Sequence, residues 1–383
     1  MSKPLSASLL AIALFVVTFA VNLQAPLYDV YAQASGVGNV AVTIAFAAYV
    51  GGLMPTLMVL GGLSDRVGRK VPIAFALILG ALATVLLVLW PNMISLVCAR
   101  LLLGVGTALA ATSGAAYMTD ILGRERQKFA ALVVTSATSL GFGGGALATG
   151  LCLAVQGQTV TPMSYHVLIL VALVLAGGVL GLPRSQVSLS VSLMRLPVFA
   201  SGTWMFGLAM ALAWSTSGMT IAVVPLELAA RGLGGWTGLV VFLAIFVGFL
   251  CQPLARRMTN ARALSVGFVL VPLGFVVLLL GVWFNALILV LLGTCITSAA
   301  SYGFTYLASL AEVARRAPDD QARATAGLFV YAYLGFSVPV IVTGLLADAL
   351  GLLPAMILFL AVLVSATLTV FGRWQRSDSA LIV

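Results

Sequence analysis

Charge is scarce in this chain. Only 8% of the 383 residues are Asp, Glu, Lys or Arg while 62% are hydrophobic, and a soluble fold of that length needs far more polar surface to cover it. Histidine is almost absent, and the single one, His166, is expected in a loop. The four cysteines, Cys98, Cys152, Cys251 and Cys295, fall inside apolar runs with no pair at ligand spacing, which supports neither a disulfide framework nor a zinc site. No Gly-Lys pair occurs, so the chain has no phosphate-cradling loop and no ATP site of its own. With one histidine and no close pair of buried acids, hydrolytic or metal-assisted chemistry has little to work with. No catalytic residue, cofactor or metal is expected, and the chain does not read as an enzyme. The net charge of +9 comes from small basic clusters between apolar runs rather than from one long basic face, so a membrane and not nucleic acid is the expected partner.

What the chain does have is a series of apolar runs of membrane length. A span needs about 20 such residues. Twelve are expected, near 8–29, 40–62, 71–90, 93–119, 129–154, 164–182, 198–226, 236–256, 263–283, 285–311, 324–347 and 352–372. The first begins like a secretory signal, with Lys3, an apolar stretch and Ala32-Gln33-Ala34. The apolar stretch runs on through Tyr28, however, long enough to complete a span, so a retained helix is expected. Lys3, the 65–70 loop, Arg124, Arg126, Lys128, Arg184, Arg195, Arg256, Arg262, Arg315, Arg323, Arg373 and Arg376 all fall on one side, and the other keeps only Arg231. The basic side is the cytoplasmic one, which places both termini there and Ser188 with them, while Gly36 and Thr159 face outward.

The two halves repeat. Leu140-Gly141-Phe142 followed by Thr149-Gly150 returns, at the same spacing half a chain later, as Leu334-Gly335-Phe336 followed by Thr343-Gly344. The expected domains are a six-helix bundle over 1–182, a Pro- and Ser-containing cytoplasmic linker over 183–197 and a second six-helix bundle over 198–383.

The sharpest motif lies between the second and third spans: Gly61-Gly62-Leu63-Ser64-Asp65-Arg66-Val67-Gly68-Arg69-Lys70. This order resembles, position for position, the helix 2 to helix 3 loop signature of the major facilitator superfamily. The resemblance implies an all-α membrane fold with twelve transmembrane helices in two pseudo-symmetric six-helix bundles. It also implies a conformational latch, in which Asp65, Arg66 and Arg69 act with Asp120 at the cytoplasmic end of the fourth span. A second motif, Gly141-Phe142-Gly143-Gly144-Gly145-Ala146-Leu147-Ala148-Thr149-Gly150, is similar to the glycine-rich helix 5 signature of proton-coupled exporters in that superfamily. Ala146 stands where the signature has proline and Thr149 where it has glycine. Gly141, Gly145 and Gly150 are the expected helix-packing positions. The resemblance implies an antiporter: proton-coupled efflux, by alternating access, of a small amphipathic organic compound such as a drug, metabolite or siderophore-like molecule. It implies a monomer in the bacterial inner membrane. An importer, or a membrane sensor of the same fold that has lost transport, is the alternative.

Residues at depth supply the remaining expectations. The first and fourth spans of each half carry neutral polar and aromatic groups, and Asn22, Gln24, Trp214, Ser217, Tyr302 and Tyr306 are the substrate-cavity candidates, with Thr107, Thr112, Ser113, Thr216, Ser298, Tyr331 and Tyr333 near them in the pattern. Singly, each Ser or Thr is better explained by a bond back to its own helix, and only the clustering lifts the set. Arg100, about 10 Å below the outer end of the fourth span, is expected to hold Asn22 and Gln24 and, with Asp29, is a coupling candidate. The acids Asp29, Glu227 and Asp348 lie toward the outer ends of their spans.

Overall fold

The structure, a computed structural model, describes residues 2–185, 187 and 192–379. Ser188 and part of the expected linker lie outside the described residues. Among the described residues twelve helices are long and apolar enough to cross a membrane: α1 (Lys3–Ser35), α2 (Asn39–Val59), α3 (Lys70–Leu89), α4 (Met93–Leu122), α5 (Arg124–Gln156), α6 (Met163–Leu180), α7 (Trp204–Ala230), α8 (Gly234–Ala255), α9 (Asn260–Trp283), α10 (Leu287–Arg316), α11 (Gln321–Leu350) and α12 (Leu352–Arg376). Spans form as helices because hydrocarbon leaves backbone groups no partner except one another. His166, expected in a loop, lies in the first turn of α6.

Local chemistry sets the ends. Asn92 caps α4 by accepting from the Ser95 backbone N–H, and Thr259 caps α9 by accepting from that of Arg262. Gly157 ends α5 and Gly351 ends α11 with φ of 81° and 91°, values that disfavour any side chain. The two stand at matching places in the sequence repeat. α1 is not one regular helix: it is α-helical over Lys3–Asn22, passes through a 3₁₀ turn at Ala25–Leu27 and resumes over Tyr28–Ser35. Pro26 supplies the cause, since it has no N–H to continue the ladder.

The chain divides into two compact units. Unit 1 comprises Met1–Val37, Ile44–Leu196 and Gly235–Phe242; unit 2 comprises Gly38–Thr43, Pro197–Gly234 and Leu243–Val383. The first turns of α2 and of α8 thus belong to the unit opposite from the rest of their helices. Inside unit 1, α1 packs on α5, and α3 on α4 and α6. Inside unit 2, α7 packs on α11, and α9 on α10 and α12, which is the same pairing six helices later. The glycines make the close pairs possible. A Cβ on Gly141 or Gly145 would run into the α1 backbone at Phe15 or Phe19, and one on Gly335 into the α7 backbone at Ala211. Gly150 faces Gly238 in the same way, inside unit 1.

Candidate functional site

Three clusters of polar and aromatic side chains stand out from this apolar background. The first is the loop between α2 and α3, where Leu63–Val67 forms a short helix. Arg69 bridges two acids, with Nη1 2.6 Å from Asp120 and Nη2 3.8 Å from Asp65. Asp65 takes a second cation, Arg195, at 2.8 Å. The segment that carries Arg195 is pinned to the loop: the Gly62 N–H donates to the Leu193 carbonyl and the Arg195 N–H to the Met58 carbonyl. A Cβ on Gly62 would strike the Ser192 carbonyl, which explains glycine there. Lys70 donates to the carbonyls of Leu180 and Leu182 at the end of α6, the favourable place for a cation on a helix. The loop signature joins Asp65, Arg69 and Asp120, whereas the place of Arg195 is not legible in the sequence, because no spacing rule ties a loop to a residue so distant. All of these partners lie in unit 1.

The second cluster surrounds Arg100, which is 1% exposed. Its Nη1 donates to the Val21 carbonyl at 2.7 Å and its Nη2 to the Phe46 carbonyl at 3.1 Å. The rings of Phe46 and Tyr49 lie 5.0 and 5.1 Å from the guanidinium carbon. The expected bonds from Arg100 to the Asn22 and Gln24 side chains are not the ones formed. Asn22 donates to the Phe142 carbonyl of α5 at 2.8 Å, and Gln24 donates to the same Val21 carbonyl that Arg100 uses. The break in α1 is the reason. Val21 sits in the last turn of Lys3–Asn22, where carbonyls lose their helical partners and carry the negative end of the helix dipole. Among the described residues no carboxylate pairs with this buried cation; two backbone carbonyls stabilise it, and its Nε has no partner. Asp29, the other coupling candidate, is half-buried in the second helical segment of α1, Tyr28–Ser35, and accepts from Gln33 Nε2 at 2.6 Å.

The third cluster lies in unit 2. Trp214 of α7 is surrounded by Tyr333, Tyr302, Phe336, Phe329 and Tyr306, with ring centroids 5.3, 5.4, 6.1, 6.2 and 6.5 Å away. Trp214 is buried, as is Ser217 one turn later, and neither the indole Nε1 nor the Ser217 Oγ has a hydrogen-bond partner among the described residues. Tyr302 belongs to a π-helical stretch of α10, Ala299–Thr305. Ser301 there donates to the Ala213 carbonyl at 2.6 Å, and Ser298 accepts from the Gly248 N–H at 2.8 Å, which locks α10 to α7 and α8. Trp214, Ser217, Tyr302 and Tyr306 are therefore gathered in one place, joined by Phe329 and Phe336, which sequence reasoning passed over. Phe329 and Tyr333 are four apart on α11, a spacing that sets both on one helix face. Tyr331 points elsewhere, to Phe199 at 5.8 Å. Thr107, Thr112 and Ser113 of α4 donate to carbonyls of their own helix.

Twelve apolar helices thus keep a buried arginine, an indole without an acceptor among the described residues and an ion-paired loop. Residues 10–339 match the family model of the Major Facilitator Superfamily, and the chain belongs to that family. It is a transporter and not an enzyme. No curated protein matches its sequence. The fold is similar to that of a bacterial homologue of the human lysosomal transporter Spinster, in an inward-facing and unoccupied conformation, with TM-score 0.75, 14% identity and 96% of each chain covered. It is similar also to a mutant form of the nucleoside transporter NupG, with TM-score 0.77, 12% identity and coverage of 96% of this chain and 99% of that one.

Proposed function

We propose that this transporter exports a small amphipathic organic compound in exchange for protons, by alternating access. The observation that carries the reading is the wall around Trp214. It offers aromatic faces and hydroxyls, with no charged residue from Trp204 to Leu226 or from Leu287 to Ala311. Such a surface holds a largely apolar ligand and gives a dianion or a sugar little to bind. Export rather than import rests on the α5 glycines, which resemble the exporter signature and press α5 against α1.

In this reading the α2–α3 loop is the latch. Partly exposed ion pairs of this kind contribute about 0–1 kcal/mol each, so Asp65, Arg66, Arg69 and Asp120 serve the balance between conformations rather than the stability of the fold. Arg100 ties the α1 break to α2 and α4 through carbonyls of the first two helices, and Asp29 is the other coupling residue. The protein works as a monomer in the bacterial inner membrane with both termini in the cytoplasm. Purified protein in proteoliposomes tests the central point: an imposed pH gradient should drive substrate flux against its own gradient, and flux that ignores the pH gradient removes proton coupling. For orientation, cysteines placed at Gly36 and Thr159 in a cysteine-free background should label from outside intact cells and one at Ser188 should not. Outside labelling at 188 overturns the assignment.

A further inference from the structure

Trp214 is an unusual core residue. A buried tryptophan ordinarily finds an acceptor for its N–H, and an unmade buried hydrogen bond is costly. Here the indole Nε1 and the Ser217 Oγ both lack a partner among the described residues. The rings that flank them are not closed in: Tyr302, Tyr306, Phe329 and Tyr333 are all half-buried, so the cluster has an open side. The helix that carries Tyr302 widens into a π-turn at this point, a feature concentrated at functional sites. From Ala324 to Ala347 on α11, as on the facing stretches of α7 and α10, there is no charged side chain. Along these three stretches the wall presents π faces and an unpaired donor, with no carboxylate to offset a cation; a cation that does act on it is Arg256, just past the end of α8, whose charge is felt at Tyr306.

We infer that this wall selects an uncharged, planar ring compound that carries a hydrogen-bond acceptor, a ring carbonyl or a ring nitrogen. The ring stacks among Tyr302, Tyr306 and Tyr333, replacing one of their contacts to Trp214, and the acceptor takes the Trp214 Nε1–H. A quaternary cation would use the faces and leave the donor unpaired. The inference rests on the transport reading above and names the class of substrate for the same site.

Equilibrium dialysis of the full-length protein in detergent tests it, with caffeine, 7-methoxycoumarin and flavone as neutral probes, tetraphenylphosphonium as the cation and naphthalene as a ring without an acceptor. At least one neutral probe should bind more tightly than tetraphenylphosphonium. Trp214→Phe, which keeps a ring and removes the donor, should weaken that probe roughly five- to tenfold, the worth of one neutral hydrogen bond, and leave naphthalene unchanged. If Trp214→Phe extracts as aggregate, Tyr333→Leu carries the test and should weaken the same probe at least about fivefold through the lost stacking face. Tetraphenylphosphonium as the tightest ligand, or an undiminished neutral probe in the monodisperse variant, overturns the inference. Binding is read without transport, so the two readings fail separately. A probe that binds as described but gives no counterflow in proteoliposomes sinks the transport proposal alone, and counterflow confined to a cation or a sugar sinks the substrate class alone.

Discussion

The two units repeat the same helix pairings and spend polar chemistry in opposite ways. In unit 1 the acid at the end of α4, Asp120, reaches across to the loop arginine Arg69. In unit 2 the acid near the end of α10, Glu312, is held by arginines of its own helix, Arg315 at 2.7 Å and Arg316 at 3.6 Å, and by the Asn260 amide at 2.9 Å. Deeper in, unit 1 has Arg100 on two carbonyls. At the same distance into α10 stands Thr294, buried and neutral. Where unit 1 has a charge at depth, unit 2 has Trp214 and its rings. The same helix pairings thus recur, once around a buried arginine and a cross-linked loop and once around an aromatic cluster, and the proposed function gives the first to conformational balance and the second to binding.

The largest effect expected from breaking this contrast is at Arg100. Arg100→Ala leaves the Val21 and Phe46 carbonyls without their charged donor and opens a hole between two rings, a loss of about 3 kcal/mol or more. Arg100→Lys keeps the charge but not the planar fork that serves both carbonyls. Transport in proteoliposomes should be lost in both variants while they remain monodisperse after extraction, with the lower melting temperature in the alanine form. Thr294→Val, at the matching place in unit 2, should leave both measures nearly unchanged. Full activity in Arg100→Ala would remove it from the mechanism.

Next in size are the helix seams. Gly145→Leu drives a side chain into the α1 backbone and Gly335→Leu drives one into α7. Both should abolish transport and lower the yield of folded protein, measured by size-exclusion chromatography. If only one does so, the two pairings are not equivalent in packing.

Latch reversals come third because their effect should be on function and not on folding. Asp65→Lys or Asp120→Lys places like charge beside Arg69 and should abolish transport with expression and insertion intact. Arg195→Ala removes the second partner of Asp65 and should lower transport only severalfold. Normal transport by both reversals would reduce the loop to a topological anchor.

The smallest change is expected at Asp348. Within unit 2 its carboxylate accepts from the backbone N–H groups of Asn39 at 2.7 Å and Val40 at 3.1 Å, and so caps the start of α2. Gly38 leaves the space it occupies. Asp348→Ala should cost about 1 kcal/mol of the capped arrangement, read as faster hydrogen exchange at Asn39 and Val40 with the rest of α2 unchanged. Exchange unaltered at those two amides would show that the cap carries no weight.

Much of this organisation was legible in the sequence because bilayers impose coarse rules. Twelve apolar runs gave twelve helices among the described residues, and the expected packing glycines, 141, 145 and 150, each face a neighbouring backbone that a Cβ would crowd. The bounds were less legible: the first span was expected over 8–29 and runs over Lys3–Ser35 through a break that Pro26 forces. The partners of Arg100 were not legible at all. Its acceptors are carbonyls, every residue carries one, and only the broken helix makes Val21 special. Arg195 was missed for a related reason, since its place is fixed by two backbone hydrogen bonds to the loop. Phe329 and Phe336 carry no polar group, so nothing in the sequence sets them apart from the other apolar residues of α11.

The division of labour between the units can be measured in one experiment: ligand affinity by dialysis and transport by counterflow, on the wild type, Asp120→Lys and Trp214→Ala. The expected result is a dissociation, in which Asp120→Lys binds the ligand within about twofold of the wild type yet does not transport, while Trp214→Ala loses binding itself. Parallel loss of both properties in both variants would contradict the account, because charge in unit 1 and aromatic surface in unit 2 would then be doing the same job.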